Sequence, residues 1–279
     1  MSEQERLLEV AVDAARMAGG LLIERVRRGG EHRVSSKSTP TDLVSEADLA
    51  SEQAIRELLG TRRPDDGFVG EEGGSHEGTS GLSWVVDPLD GTVNFLFGIP
   101  QWCVSVAVRD ERGTLAGAVY DPNRDELFIA TRDGGAQLLA ASGTLELVHE
   151  DAGGSTGRHA GESGGGGVSL SQAMVATGLA YDAEVRGAQA EVLARVIPRV
   201  RDIRRFGSAA LDLAWTAAGR YDAYFERSVK QWDIAAGALV CERAGLQVLE
   251  LAPNGILPWG ILVARPALAA QLMELIGHG

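Results

Sequence analysis

Three turns rich in acidic side chains are the parts of this sequence most able to do chemistry. One contains Glu71 and Glu72, the second contains Asp87 and Asp90, and the third contains Asp233. Each acid follows a predicted strand or begins a predicted helix, so the three turns could meet in space. Carboxylate oxygens suit Mg²⁺ or Mn²⁺ better than zinc. The pattern therefore favours a site for hard divalent cations.

The second turn, residues 87–92 (Asp-Pro-Leu-Asp-Gly-Thr), combines two kinds of group. Two aspartates three residues apart at the end of a strand can hold hard cations. The backbone N–H groups of Gly91 and Thr92 can face an anion if a helix begins there. Cations beside anion-binding amides are what the hydrolysis of a phosphate ester requires. This turn therefore indicates a phosphatase.

Each motif, taken alone, also has a structural explanation. Asp-Pro and Asp-Gly are common turn signals, and two adjacent glutamates can simply form a solvated loop. Asp233 could be an N-cap stabilised by the helix dipole. Ser45 and Asp48 fit a capping box at the start of a helix. No single motif is specific, and these alternatives remain open at this point.

The spacing of apolar residues predicts the elements that position these acids. Helices are expected over residues 4–28 and about 46–60, the second capped by Ser45. Short strands separated by turn signals are expected at 67–69, 84–86, 102–108, 114–120, 126–130 and 136–139. The first half of the chain therefore reads as helices packed on an antiparallel sheet.

The segment 152–167 is half glycine and is predicted to be a mobile loop or linker. Beyond it, strands and helices alternate. Strands are expected at 174–177, 202–206, 221–225, 246–251 and 261–264, and helices at 188–196, 208–218, 233–244 and from Pro266 onwards. This alternation indicates an α/β half with a mixed sheet. We thus expect an N-terminal α+β half (1–151) that carries most metal ligands and a C-terminal α/β half (168–279) that completes the site.

Composition restricts the function further. The 279 residues carry a net charge of −13, which argues against a nucleic-acid partner but not against a small phosphate if bound metal reverses the local sign. The first residues lack the pattern of a signal peptide, and no apolar run reaches membrane-spanning length. Cys103 and Cys241 both read as buried thiols. We therefore expect a cytoplasmic protein without a membrane partner.

Two other sites are rejected on sequence grounds. The five histidines are scattered through predicted loops and the tail without ligand spacing, so zinc is not expected. Residues 153–157 and 161–165 match the letters of a Gly-x-Ser-x-Gly nucleophile elbow, but that motif needs a strand before it and a helix after it. Both copies lie in the glycine-rich tract. No Walker-type phosphate loop occurs.

Taken together, the motifs resemble the inositol monophosphatase family of magnesium-dependent, lithium-sensitive phosphatases. The resemblance extends over most of the chain and includes the segments 37–44 (Lys-Ser-Thr-Pro-Thr-Asp-Leu-Val), 70–72 (Gly-Glu-Glu), 87–92, 207–210 (Gly-Ser-Ala-Ala), 221–226 (Tyr-Asp-Ala-Tyr-Phe-Glu) and 232–237 (Trp-Asp-Ile-Ala-Ala-Gly). It implies a layered α+β / α/β fold with alternating αβαβα layers. It also implies a homodimer.

The resemblance implies roles for particular residues. The metal ligands would be Glu71, Asp87, the carbonyl of Leu89, Asp90 and Asp233. Asp87 would bridge two Mg²⁺ ions, and a third, weaker ion would share Glu71. Mn²⁺ could substitute for Mg²⁺. Two ions roughly 3.5–4 Å apart, as is typical of such sites, would activate a water molecule and stabilise the leaving oxygen.

Further residues would contact the substrate or the attacking water. By the same resemblance, phosphate would lie on the N–H groups of Gly91 and Thr92, and the Thr92 hydroxyl, bonded to Asp48, would position the water together with Glu71. The alcohol part of the substrate would meet Asp90, Ser208, Ala209, Glu226 and Asp233.

The substrate is the least determined part of this interpretation. Glu226 could accept hydrogen bonds from a polyol, which favours inositol 1-phosphate, but it could also pair with a cationic amine. Histidinol phosphate is therefore the main alternative, followed by fructose 1,6-bisphosphate, because the polar groups of the pocket decide such discrimination. A metal-dependent binding protein without turnover is a further alternative of a different class.

Overall fold

A computed structural model of the chain describes residues 1–28, 34–36, 43–149 and 168–277. The Lys37–Asp42 part of the motif at 37–44, the glycine-rich tract with both Gly-x-Ser-x-Gly matches, and His32, His159 and His278 lie outside these residues. No helix within the described ranges is long and apolar enough to span a membrane.

The helices are α1 (Glu3–Arg28), α2 (Glu46–Arg62), α3 (Thr92–Leu96), α4 (Ala183–Val196), α5 (Ala209–Ala217), α6 (Gln231–Arg243) and α7 (Pro266–Ile276). The strands are β1 (Val34–Ser36), β2 (Leu43–Ser45), β3 (Gly67–Gly70), β4 (Ser75–His76), β5 (Ser83–Asp90), β6 (Cys103–Asp110), β7 (Gly113–Asp121), β8 (Glu126–Thr131), β9 (Ala136–Ala140), β10 (Gly143–Leu147), β11 (Met174–Thr177), β12 (Asp202–Arg204), β13 (Ala223–Arg227), β14 (Gln247–Leu251) and β15 (Gly260–Ala264). The predicted elements are present, most of them with ends shifted by only a few residues.

The first large sheet has eight strands in the order β10-β9-β8-β7-β6-β5-β3-β4. Every pair is antiparallel except β3 and β5, which run parallel. The sequence predicts an antiparallel sheet, and this pair departs from it because β4 occupies the outer edge of β3. The chain must therefore return past β3 and join its inner edge in the same direction. As a result, the carboxyl ends of β3 and β5 meet at one edge of the sheet.

The second sheet has five strands in the order β12-β11-β13-β15-β14. β11 runs parallel to β12 and β13, whereas β15 runs antiparallel to β13 and β14. This is the mixed sheet that the alternating pattern predicts. β13 lies at its centre and carries Glu226 near its end.

Three apolar clusters define the order of the layers. The first joins both sheets through α5 and α6, and includes Val85, Val119, Leu211, Leu239 and Val263. The second joins α1 and α2 to the opposite face of the first sheet. The third joins α4 and α7 to the opposite face of the second sheet. The order is thus α1/α2, sheet, α5/α6, sheet, α4/α7, which confirms the expected αβαβα layers. Cys103 and Cys241 are both buried free thiols, as predicted.

Candidate active site

A cavity of about 250 Å³ collects most of the predicted site residues. Those that line it are Glu71, Asp87, Leu89, Asp90, Gly91, Thr92, Ala209, Glu226 and Asp233. Asp48 and Ser208 are buried behind the lining, and each bonds to a residue in it. Residues separated by more than 160 positions in the chain therefore share one cavity, with acids contributed by both sheets.

The parallel pair of strands brings the first two acidic turns together. Gly70 at the end of β3 lies opposite Val86 of β5, so Glu71 and Asp87 leave the sheet at the same edge. Asp87 is only 2% exposed, and its Oδ1 accepts the Leu89 N–H at 3.0 Å. This bond is the Asx turn typical of an aspartate before a chain reversal. The turn signal and the candidate ligand are therefore the same residue.

Asp90 is held at the amino end of α5. Its carboxylate accepts the Ser208 hydroxyl at 2.6 Å, the Ala210 N–H at 2.8 Å and the Ala209 N–H at 3.2 Å. A carboxylate is stabilised there by the unpaired N–H groups of the first helical turn. Ser208 and Ala209, which we predict to meet the substrate's alcohol, thus bond to Asp90 in this structure. Their contact with a substrate stays a prediction.

Asp48 joins a helix cap to the cavity wall. Its Oδ2 accepts the Ser45 N–H at 2.9 Å, which completes the predicted capping box of α2. Its Oδ1 accepts the Thr92 hydroxyl at 2.7 Å. Asp48 therefore both caps α2 and accepts the expected bond from Thr92, because each of its two carboxylate oxygens accepts from a different residue.

Asp233 lies at the third position of α6. Its Oδ2 accepts the backbone N–H of Lys230, the residue that caps this helix, at 2.7 Å. Asp233 is therefore not the N-cap itself, which was the structural alternative. It bonds back to the cap and also lines the cavity.

The electrostatics of the cavity are dominated by like charges. Burial raises the pKa of Asp87 well above its usual value, and repulsion from Glu71, Asp90 and Asp233 raises it further. Burial also raises the pKa of Asp90, although the hydrogen bonds to its carboxylate act in the opposite direction. The pKa of Asp233 is raised first by burial and next by repulsion from Asp90. Buried anions close together are stable only when protonated or neutralised by a cation.

The donors and their charge fit Mg²⁺, although the described side chains do not form a closed coordination shell. Among the described residues, no three His, Cys, Asp or Glu side chains are grouped tightly enough to hold an ion directly. Mg²⁺ usually keeps several waters and binds one or two carboxylates together with substrate phosphate. A cavity with separate, mutually repelling carboxylates suits that mode of binding.

Glu226 marks a different side of the cavity. Its carboxylate accepts the Tyr224 hydroxyl at 2.8 Å, and burial raises its pKa to about 7, although Tyr224 and the Arg205 charge oppose this. A Cβ at Gly178 would overlap the Glu226 carboxyl group. Glycine at this position therefore makes room for the acid.

Sequence reasoning missed several residues that line the cavity. Arg205 and Lys230 add two cations, and Tyr181 adds aromatic surface. Trp232 also lines the cavity; it belongs to the motif at 232–237 but had no predicted role. Arg205 stands two residues before the predicted segment 207–210, and Lys230 stands two before 232–237. Their proximity to these motifs was a usable signal. Tyr181 follows β11 with no comparable motif beside it.

Comparison with known proteins identifies the relatives of this chain. The model of the family described as the inositol monophosphatase family matches residues 3–278. The chain is 39% identical over 255 residues to the inositol-1-monophosphatase SuhB of Mycobacterium tuberculosis, covering 88% of this chain and 82% of that protein. It is 37% identical over 274 residues to the Nus factor SuhB of Pasteurella multocida, covering 97% and 95%.

The fold agrees with these relationships. The crystal structure of the extragenic suppressor protein suhB from Bartonella henselae superimposes with a TM-score of 0.83 at 33% sequence identity. The match covers 98% of this chain and 99% of that chain. Both the sequence and the fold therefore point to the same group of proteins.

Proposed function

Because the chain belongs to the inositol monophosphatase family, we propose that this phosphatase is Mg²⁺-dependent and converts inositol 1-phosphate to inositol and phosphate. The observation that carries the proposal is a set of mutually repelling carboxylates in one cavity, of which Asp87 and Asp90 are buried and Asp233 is half-buried. Such a set is costly to leave unneutralised, whereas divalent cations would neutralise it and would also attract the negatively charged phosphate of an ester.

Glu71, Asp87, the carbonyl of Leu89, Asp90 and Asp233 would hold the metal ions. Bound Mg²⁺ supplies charge neutralisation for the phosphate and lowers the pKa of a nearby water. The chain itself keeps the donors apart and aimed at the cavity. The Leu89 N–H fixes Asp87, the amino end of α5 fixes Asp90 and the Lys230 N–H fixes Asp233.

The phosphate would lie at the start of α3. Gly91 precedes this helix with a φ of 95°, a left-handed conformation that glycine adopts without a steric cost. The N–H groups of Gly91 and Thr92 lie at the start of α3. The first N–H groups of a helix have no hydrogen-bond acceptor within that helix, because no helical residue precedes them by four positions. Such groups bind phosphate oxygens well. This geometry supports the phosphate position that the family resemblance implies.

Thr92 and Asp48 would orient the attacking water. The Thr92 hydroxyl donates its proton to Asp48 Oδ1, so its lone pairs can accept a proton from a water in the cavity. Asp48 is buried and also bonded to Ser45, which keeps this direction fixed. Glu71 would be the third group near the water.

Glu226 would receive the alcohol part of the substrate. A carboxylate accepts hydrogen bonds from the hydroxyl groups of a polyol, and Tyr224 holds it in place. Arg205 lowers the advantage of a cationic amine at this position, which weakens the case for histidinol phosphate. Arg205 and Lys230 instead favour a second phosphate, so fructose 1,6-bisphosphate is the second candidate substrate.

A substrate panel tests the proposal. Phosphate release from inositol 1-phosphate, histidinol phosphate and fructose 1,6-bisphosphate should be measured with Mg²⁺ and with a chelator. We expect the highest kcat/KM for inositol 1-phosphate, and no turnover in the chelator. Faster turnover of either rival would reassign the substrate.

A role as a binding partner is the alternative of a different class, and it is favoured by the relative described as a Nus factor. Absence of phosphate release from all three esters, in protein that still binds Mn²⁺, would support it. A cytoplasmic location and a homodimer stay predictions.

A further inference from the structure

A buried glutamate on α2 bonds to the backbone of the Glu71 loop, which we define as residues 71–74 between β3 and β4. Glu52 is only 3% exposed. Its Oε2 accepts the Glu72 N–H at 2.8 Å, and its Oε1 accepts the Gly73 N–H at 2.6 Å. One carboxylate therefore holds two successive amides of the loop, in charge-assisted hydrogen bonds.

Arg56, one helical turn further along α2, braces this arrangement. Its Nε donates to Glu52 Oε1 at 3.0 Å, and a terminal nitrogen donates to the Gly74 carbonyl at 2.9 Å. The guanidinium also lies 3.9 Å from the centre of the Phe68 ring. The Glu52 carboxylate is thus paired, which makes its burial tolerable.

The glycines of this region are explained by the same carboxylate. A Cβ at Gly70 or Gly73 would overlap an oxygen of Glu52. Loop residues without side chains are flexible in themselves. Contacts from outside the loop help to fix the shape of such a segment, and Glu52 makes two of them.

We propose that Glu52 is a positioning residue that keeps the Glu71 carboxylate directed into the cavity against the repulsion of its neighbours. Glu71 carries a charge that repels Asp87 and Asp233, and this repulsion favours a movement of the loop away from the other acids. Glu52 ties the next two residues to α2 and opposes that movement. The inference rests on the proposed function, because Glu71 matters here as a metal ligand.

Glu52→Gln is the decisive variant. Glutamine retains one acceptor oxygen but places an N–H₂ group against the second loop amide, so one bond is lost at nearly constant volume. We expect Mn²⁺ binding, measured by calorimetry without substrate, to weaken about tenfold, which corresponds to about 1.4 kcal/mol. The Mg²⁺ concentration for half-maximal activity should rise by a similar factor, while kcat at saturating Mg²⁺ stays close to that of the wild type.

Amide exchange provides a readout that does not depend on metal. Exchange of the Glu72 and Gly73 N–H groups, followed by NMR in a chelator, should be faster in Glu52→Gln than in the wild type. Glu57→Gln is the matched control, since it removes the same charge from an exposed position on α2. Ile55→Val lowers stability at a buried position of the same helix and leaves the hydrogen bonds from Glu52 and Arg56 to the loop in place. Neither control should change Mn²⁺ affinity.

Arg56→Gln gives an independent test that leaves the carboxylate in place. Arg56→Gln should weaken Mn²⁺ binding by a smaller factor than Glu52→Gln. It still tests the inference if the Glu52→Gln protein does not fold. A folded Glu52→Gln protein with wild-type Mn²⁺ affinity would overturn this inference alone. A wild-type protein that neither binds Mn²⁺ nor releases phosphate would overturn the proposed function along with it.

Discussion

The two ends of the cavity are built differently. At the acidic end, Asp90 accepts three hydrogen bonds from the start of α5, and Asp48 is fixed by both Ser45 and Thr92. At the other end, Glu226 accepts one bond from Tyr224, and its pKa is raised to about 7. Asp90 and Asp48 are therefore each held by several partners, whereas among the described residues Glu226 is held by one side-chain hydrogen bond.

Under the proposed function, this difference would separate the chemistry of the reaction from the selectivity for the alcohol. Groups that hold ions and phosphate serve every phosphate ester, so they need one fixed geometry. Groups that meet the alcohol decide which ester is accepted, and they depend on a small number of polar side chains. Variants of the acidic end should therefore lower kcat for all substrates. Variants of the alcohol end should change KM and the choice of substrate.

Asp87→Asn should have the largest effect. The amide keeps the size of the side chain and the bond from the Leu89 N–H, but it removes the charge that would hold the metal ions. We expect kcat to fall by about 10³-fold or more. The melting temperature in a chelator should be unchanged or higher, because a repelled buried charge is removed. A variant with wild-type kcat would contradict the assignment of the acidic end.

Thr92→Val should have the next largest effect. Valine has the shape of threonine but cannot donate to Asp48 or accept a proton from water. We expect kcat to fall by about 10²-fold, the usual size of a contribution from proton transfer. Thr92→Ser keeps the hydroxyl group and should recover most of the activity. Equal losses in both variants would show that packing, rather than the hydroxyl, matters here.

Glu226→Gln should act on KM rather than kcat. Losing a charged acceptor for the alcohol should raise KM for inositol 1-phosphate by about tenfold, since hydrogen bonds to charged groups contribute about 1.5–3 kcal/mol. In the wild type, KM should also rise as the pH falls through about 7, because Glu226 then gains a proton. This pH dependence should vanish in Glu226→Gln. If Glu226→Gln lowered kcat and left KM unchanged, the proposed difference between the two ends would be contradicted.

The smallest effect concerns stability. The pKa values of Asp87, Asp90 and Asp233 are raised in the folded chain, so the folded state binds protons more tightly than the unfolded state. In a chelator, stability should therefore fall as the pH rises above the usual carboxylate range near 4. Added Mg²⁺ should raise the melting temperature by several degrees at pH 7.5 and by less at pH 5. A Mg²⁺ effect that is the same at both pH values would argue against a charge-neutralised site.

The sequence predicted the elements well because their signals are local. The capping residue Ser45, the apolar alternation of 102–108 and Pro266 at the start of α7 each act within a few residues. The parallel pairing of β3 and β5 escaped prediction because it depends on where β4 joins the sheet. β4 contains only two exposed residues, which leave almost no pattern in the sequence.

The candidate site could likewise be predicted only where its residues lie in local motifs. Asp87, Asp90 and Asp233 lie in motifs that can be read from the chain, and the structure brings them to one cavity. Arg205 and Tyr181 reach that cavity through the packing of two sheets, which no local pattern encodes. Glu52 was missed because its partners are backbone amides 20 and 21 residues away. A buried carboxylate that binds backbone leaves no trace in the spacing of side chains.

The close approach of Glu226 to Gly178 has an evolutionary consequence. A single codon change from glycine to alanine would displace the acid and reshape one wall of the cavity, while the groups around Asp87 and Asp90 would stay in place. Proteins with this fold could thus exchange one alcohol for another without rebuilding their catalytic apparatus. The residue that follows β11, together with Glu226 on β13, would then form the part of the cavity wall in which new substrate preferences arise in small steps.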